Sequence, residues 1–506
     1  MLARVTSCAV VGLEGAIVEV EVDIASGLPA FTIVGLPDKA VQEARERVRA
    51  AIRNSGYTFP NRRITVNLAP ADLKKEGPAY DLPIAVGILL SSGQLTAELA
   101  QTLFTGELSL DGRLRHTQGI LPMAALARDK GLSDVFLPVD NVEEASLVDE
   151  LSLFPAESLS QLAAHLEGRA PIAEYHRDRK WAEEVSEHYP FDLSDIKGQE
   201  HAKRALEVAA AGRHNILMVG PPGSGKTMLA RSLPSILPPL IMDEAIEVTK
   251  IYSVTGLLPP DKPLIVERPF RSPHYTSSPA GLVGGGQGPH PGEISLSHYG
   301  VLFLDEFPEF GHAALESLRQ PMEDRIITVS RAQGSITFPA SFMLVAAMNP
   351  CPCGYYGDPF KECKCSSGEV SRYHKRLSGP LLDRIDIFVE VPHIDYEKLT
   401  DERATEKSAK VRERVRKAQQ TQLERFRGMK LGGNADMTPA EVKQFCLSEP
   451  AAQSLLRAAM KQLRLTARAF HRILKVSRTI ADLEGSDIIK TAHLAEALQY
   501  RHKEAV

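Results

Sequence analysis

The chain has 506 residues, 43% hydrophobic and 24% charged, with a formal net charge of -5. That length exceeds one compact core and predicts about two to four domains, while the mild acidity excludes a globally basic nucleic-acid binder and leaves only a local basic surface open. The first residues, MLARVTSCAVVGLEGAIVEV, carry no apolar block ending in a small-residue cleavage site, and the strongest apolar run, LPIAVGILL at 82–90, is far short of a membrane span; a soluble cytoplasmic protein without a membrane partner is expected.

In chain order, VEVEV (18–22), FTIVGL (31–36) and RITVNLA (63–69) alternate or carry β-branched residues and predict strands. Between the last two, AVQEARERVRAAIRNSG (40–56) predicts an amphipathic helix stopped by Gly56. The stretch HRDRKWAEEVSEHYPFDLSDIKG (176–198), which holds the single tryptophan, Trp181, is charged and weakly apolar and marks a linker. From 198 to about 391 apolar strands alternate with helices, the rhythm of a parallel sheet. From 393 onward the pattern is helical. The expected class is α/β: an α+β domain at 1–172, a linker at 173–195, a parallel-sheet core at 196–392 and a helical region at 393–506.

The chemistry concentrates in the third segment. NILMVG predicts a buried strand that runs into GPPGSGKT and a helix start, the context a phosphate-binding loop requires. The loop Gly220, Pro221, Pro222, Gly223, Ser224 and Gly225 would cradle phosphate, its glycines letting backbone N–H groups turn inward; Lys226 would reach the β- and γ-phosphates, and Thr227 would ligate Mg²⁺. VLFLDE (301–306) places two carboxylates at a strand tip, where an open sheet binds its ligands. There Asp305 would hold Mg²⁺ and Glu306 would orient the attacking water. SFMLVAAMNP ends a third buried strand in Asn349, within reach of the γ-phosphate or the water. LSGPLLDRID then places Arg384 where, in a ring, it could act on a neighbour's nucleotide. A surface ion pair is the alternative for Arg384, and Arg372 and Arg376 are weaker candidates.

Four of the six cysteines crowd into a C-x-C…C-x-C set, Cys351, Cys353, Cys363 and Cys365, with nine residues between the pairs. They could close a tetrahedral Zn²⁺ site; four reduced thiols on a Gly-rich loop are the alternative. His274, His290 and His298 read as loop residues rather than ligands.

The runs RPFRSPHYTSSPAGLVGGGQGPHPGEISLSHYGVLFLDEFPEF, VAAMNPCPCGYYGD and RLSGPLLDRIDI resemble the magnesium-chelatase-like AAA+ group, and the chain from end to end resembles its ComM/YifB members. The resemblance implies a helix-2 insert near 257–292, a presensor hairpin near 326–338, and a helical lid whose LTARAFHRILKVSRT segment places Arg468 against ATP. It further implies a homo-hexameric ring and, through ComM-type proteins, DNA branch migration in natural transformation or recombination, with recombination proteins as further partners. The first domain resembles the protease domain of Lon in KEGPAYDLPIA (74–85) and TGELSLDGRLRHTQGILPMAALA (105–127), yet Ala79 stands at the nucleophile position and Met123 at the lysine position. A Ser–Lys dyad needs an attacking oxygen and an amine to take its proton, so no peptidase is expected.

Three functions compete: a DNA-translocating motor, a chelatase-type remodeller and an ATP-dependent protease. The missing dyad weighs against the third, and the fused Lon-like domain, taken as absent from the chelatase motor subunit, against the second. For the first, Arg331 and Gln333 fall at the tip of the hairpin EDRIITVSRAQGSITF, beside Gly334, where an arginine facing a pore suits single-stranded or branched DNA. A second basic run, at Arg412, Arg414, Arg416 and Lys417, reads more simply as a solvated helix face.

Overall fold

The computed structural model describes residues 2–177, 189–259, 262–286, 289–331, 334–394 and 405–501, with only the backbone of Arg331. Trp181, residues 178–188 of the 173–195 linker and Gln333 lie outside the described residues. Two compact units emerge, Met1–Val185 with Met242–Ile265, and Ser186–Ile241 with Val266–Val506. No helix among the described residues is long and apolar enough to cross a membrane.

In the first unit, Glu14–Ala25 pairs antiparallel with both Ala3–Val11 and Arg63–Ala69, and Ala30–Val34 joins the latter in parallel. Alternation sets the register: Val18, Val20 and Val22 are fully buried while the glutamates between them face outward. The helix Lys39–Asn54 starts where the Asp38 side chain accepts from the Val41 N–H, and it buries Val41, Ala44, Val48, Ala51 and Ile52 along one stripe. The apolar run of the sequence is the helix Asp81–Ser91, buried over nearly its whole length. Its Gly87 lies so close to the sheet that an added Cβ would stand 2.6 Å from a Val22 methyl. A second, parallel sheet joins Thr102–Phe104, Asp134–Pro138 and Ser152–Ala156.

One segment departs from the sequence-based division at residue 196. Met242–Ile265, expected within the parallel-sheet core, is part of the first unit. The reason is a buried polar joint. Glu144 accepts from the Leu121 N–H at 2.8 Å and from Ser253 Oγ at 2.5 Å, and the Ser253 carbonyl accepts from the Gly119 N–H at 3.1 Å. Helix Met242–Thr255 thus adds a donor to a buried carboxylate also served by the Leu121 N–H and Asn141 Nδ2, where unmet polar groups are costly. The segment 257–292 expected as one insert is divided between the two units.

The second unit is built on a five-stranded parallel sheet. Its order is Phe270–Arg271, Val301–Leu304, Met343–Met348, Ile216–Val219 and Ile387–Glu390. Four-residue runs such as ILMV and VLFL form short strands covered on both faces, as parallel sheets require. The expected hairpin is present: Ile326–Arg331 pairs with Gly334–Pro339, closing on Arg331 opposite Gly334. Beyond the sheet come the helices Ser408–Arg425, Pro439–Phe445, Pro450–Gln462, Ala467–Leu483 and Thr491–Gln499. Val415, Ala418, Val476 and Ile480 from this helical region share one apolar core with Ala205, Ile216 and Val345.

Candidate nucleotide site

Strand Ile216–Val219 sits between the strands that end near Asn349 and begin after Arg384, so the loop that leaves it is central. Gly220 can be nothing larger, because a Cβ there would lie 2.1 Å from the Val391 carbonyl oxygen. Gly223 and Gly225 adopt φ of 79° and 92°, backbone that side-chain-bearing residues rarely take. These turns carry the chain into helix Lys226–Ser232.

Lys226 is folded into its own loop. Its ammonium donates to the carbonyls of Gly220 and Pro221 at 2.7 and 2.8 Å, and to Asn349 Oδ1 at 3.3 Å. Two predicted residues, one opening a helix and one just past a strand, therefore meet directly. Burial pushes the Lys226 amine down to about 8, against an opposing pull from Asp305. Phosphate charge favours the protonated amine, so above pH ~8 ATP binding must take up a proton there, whereas below it the amine is already charged. ATP affinity is expected to weaken by up to about tenfold per pH unit above that point. Calorimetry in buffers of different ionisation heat measures the uptake, and finding none near pH ~9 would contradict this assignment.

Thr227 Oγ1 donates to Asp305 Oδ2 at 2.8 Å. A hydroxyl and a carboxylate held on one point fit Mg²⁺, a hard cation that takes oxygen ligands. The backbone turns left-handed at Glu306, φ 51°, and its side chain is exposed beside this pair. Non-glycine residues held in that region are uncommon and cluster at functional sites.

The arginines are tethered. Arg384 donates to the Pro380 carbonyl and to Glu323 Oε2, both at 2.6 Å, with its side chain 14% exposed. Its backbone is fixed too: the Asn215 amide donates to the Arg384 carbonyl at 2.9 Å, and Asn215 Oδ1 accepts from the Leu344 N–H. Arg468 pairs with Asp383, the neighbour of Arg384, and Arg472 shares that carboxylate. Arg376 pairs with Glu309, and Arg372 is exposed on helix Ser367–His374. In the basic run, Arg414 is bound by Glu207 and Glu406 and Lys417 by Glu413, as a solvated helix face would be.

Sequence reading missed a buried relay behind the site. His214 bridges Asp386 Oδ2 at 3.2 Å and Thr479 Oγ1 at 2.8 Å, linking the end of the Arg384 loop to helix Ala467–Leu483. Its charged and hydrogen-bonding partners lower the Asp386 carboxyl against the upward push of burial. No local signal marks three residues so far apart in the chain.

The cysteines converge. Sγ separations are 3.4 Å for Cys351–Cys353, 3.7 Å for Cys351–Cys363 and 3.6 Å for Cys353–Cys363, and all four sulfurs lie within 4.8 Å of one another. A tetrahedron with Zn–S bonds of about 2.3 Å has edges of about 3.8 Å, whereas a disulfide would bring two sulfurs to about 2.05 Å. The set fits a closed tetrathiolate site. Of the histidines, His298 Nδ1 accepts from the Ser341 N–H and His274 bonds Thr276.

The Lon-like neighbourhood is assembled without its chemistry. The Ala79 carbonyl accepts from the Gly106 N–H at 3.0 Å, and Thr105 Oγ1 lies 3.4 Å from Met123 Sδ. A methyl stands at the position that needs an attacking oxygen, and a thioether at the position that needs an amine. Casein and unfolded proteins are therefore expected to stay intact with or without ATP, as gel assays would show; ATP-stimulated cleavage that co-purifies with the chain would refute this.

Comparison with known proteins agrees with this geometry. The family described as "Magnesium chelatase, subunit ChlI" matches 192–399, "Subunit ChlI of Mg-chelatase" matches 20–141, and "Magnesium chelatase, subunit ChlI C-terminal" matches 405–501. "Competence protein ComM" of Haemophilus influenzae is 47% identical over 507 residues, covering 99% of this chain and 97% of that protein. The chain belongs to the ComM/YifB family of magnesium-chelatase-like AAA+ proteins. "Uncharacterized protein YifB" of Escherichia coli is 44% identical over 502 residues, covering 99% and 97%. "Lon protease" of Mycolicibacterium smegmatis is 26% identical over 171 residues, 31% of this chain and 22% of that protein. The match at 20–141 carries the chelatase name, so the fused first domain no longer argues against a chelatase-type activity.

Proposed function

We propose that this chain is an ATP hydrolase that works as a homo-hexameric DNA motor, a branch-migration helicase of recombination or natural transformation. One observation carries the reading. The hairpin Ile326–Arg331 and Gly334–Pro339 lies in the chain between the strand Val301–Leu304 that precedes Asp305 and the strand Met343–Met348 that precedes Asn349. Its second strand stops only a few residues before the sensor strand begins, so a change at the phosphate is passed to the hairpin through short, hydrogen-bonded chain. The Ala340 N–H, at the hairpin's foot, donates to the Arg325 carbonyl at 2.8 Å. A relative named for competence supports DNA as the cargo.

The loop 220–227 would hold ATP, and Thr227 and Asp305 would hold Mg²⁺, which would neutralise phosphate charge. Glu306 orients water, Asn349 reads the γ-phosphate, Arg384 supplies positive charge to a neighbour's nucleotide across a subunit interface, and Arg468 touches ATP from the lid. Arg331, helped by Gln333, grips the DNA backbone.

Phosphate contacts are salt-sensitive and carry little base preference. Arg331→Ala is expected to weaken DNA binding for all sequences and to lower the salt slope by about 1. Strand movement is lost while basal ATP hydrolysis persists. Fluorescence anisotropy across salt concentrations, beside a branch-migration assay, checks this. Unchanged affinity and unchanged migration would place Arg331 outside the DNA path. DNA that leaves the wild-type ATPase untouched would instead favour a chelatase-type remodeller.

A further inference from the structure

The cysteine cluster adjoins the nucleotide site on two sides. Its first thiol, Cys351, is fully buried two residues after Asn349, which accepts from Lys226. One residue past Cys353, Gly354 adopts φ 87°, donates its N–H to the Cys351 carbonyl at 3.0 Å, and lies flat against the phosphate loop. A Cβ on Gly354 would stand 2.6 Å from Pro222 Cδ. The tight turn 351–354 therefore touches the sensor at one end and the phosphate loop at the other.

The second cysteine pair arrives on an ordered arm. Asp358 Oδ1 accepts from the N–H groups of Phe360 and Lys361 at 2.8 and 2.9 Å, and the Lys361 ammonium lies 4.0 Å from the centre of the Tyr355 ring. The backbone N–H groups of Tyr355 and Lys364 face Cys353 Sγ, and that of Cys365 faces Cys363. Such N–H groups around converging sulfurs are the supporting shell of a metal–thiolate site. Four thiolates fill a tetrahedron and leave no position for water, so the metal is structural.

We propose that Cys351, Cys353, Cys363 and Cys365 hold one zinc ion, and that this clip keeps Pro222 of the phosphate loop and the sensor Asn349 in register for nucleotide. Without the metal, no cross-link among the described residues ties the arm at 363–365 back onto the turn at 351–354. The turn is then free to leave Pro222.

The inference rests on ATP binding at 220–227. The test measures zinc by elemental analysis and affinity for a non-hydrolysable ATP analogue, on the full chain purified without added metal. Wild type is expected to carry about one zinc per chain, and cobalt exchanged into it to show the intense visible bands of a tetrahedral tetrathiolate. Cys363→Ser/Cys365→Ser loses the metal and about tenfold or more in analogue affinity. Gly354→Ala keeps zinc but loses affinity, because the added methyl pushes the turn off Pro222. Should the cysteine variant unfold, stripping wild type with a chelator and restoring zinc must lower and recover the affinity reversibly. Zinc-free wild type, or a stripped chain that binds the analogue as before, overturns the proposal. A zinc-loaded chain that binds no nucleotide under any condition defeats the nucleotide reading instead.

Discussion

Arg384→Ala is expected to lower ATP turnover by roughly 10³–10⁵-fold, the range for removing an arginine that stabilises transferring phosphate. ATP binding should survive, because Lys226, Thr227 and Asp305 assemble without it. In the isolated chain the guanidinium is held by Glu323 and the Pro380 carbonyl, so to serve a neighbour it must exchange Glu323 for phosphate. Glu323 is 62% exposed and its pairing is partly solvent-screened, so that exchange costs little. On the proposed reading a lone subunit is expected to be inactive, because no neighbour offers it an arginine. Mixing Arg384→Ala with Lys226→Ala subunits should recover part of the activity, since an intact phosphate loop then meets an intact arginine across an interface. No recovery in rings shown to be mixed would remove Arg384 from the interface.

Glu306→Gln should bind ATP nearly as well as wild type and hydrolyse it roughly 10²–10⁴-fold more slowly, the usual range for losing a positioned general base. The amide keeps the shape of the exposed side chain and leaves the Thr227–Asp305 contact alone. The remaining cradle therefore still binds phosphate, while the water loses the carboxylate that takes its proton. Binding by calorimetry beside single-turnover hydrolysis separates the two effects. A variant that loses both together would show that Glu306 shapes the left-handed turn at φ 51° rather than the chemistry.

Much of the AAA+ core could be read in the sequence because its signals are local. A glycine pattern between a strand and a helix, and carboxylates at a strand tip, need only their neighbours to be recognised, and Lys226, Thr227, Asp305 and Asn349 do converge. The hairpin was implied by the family resemblance, and its strands do pair. What stayed hidden depends on distant partners. Met242–Ile265 has a helical sequence that does not say which core it will join; the choice is made by Glu144, more than a hundred residues earlier. Glu323 as the holder of Arg384, and Asp383 as the partner of Arg468, are side-chain encounters that no spacing encodes. The cysteine spacing left zinc and free thiols open together, and only the sulfur separations brought the set close to a tetrahedron.

The most direct measurement is the ATPase rate of the purified chain with Mg²⁺, alone and with single-stranded or branched DNA. An ATP-fuelled DNA motor predicts a low basal rate that rises several-fold on DNA, with branched DNA migrated at the expense of ATP and the stimulation absent in Arg331→Ala. Robust hydrolysis that no DNA changes, with no migration by the wild type, would contradict it.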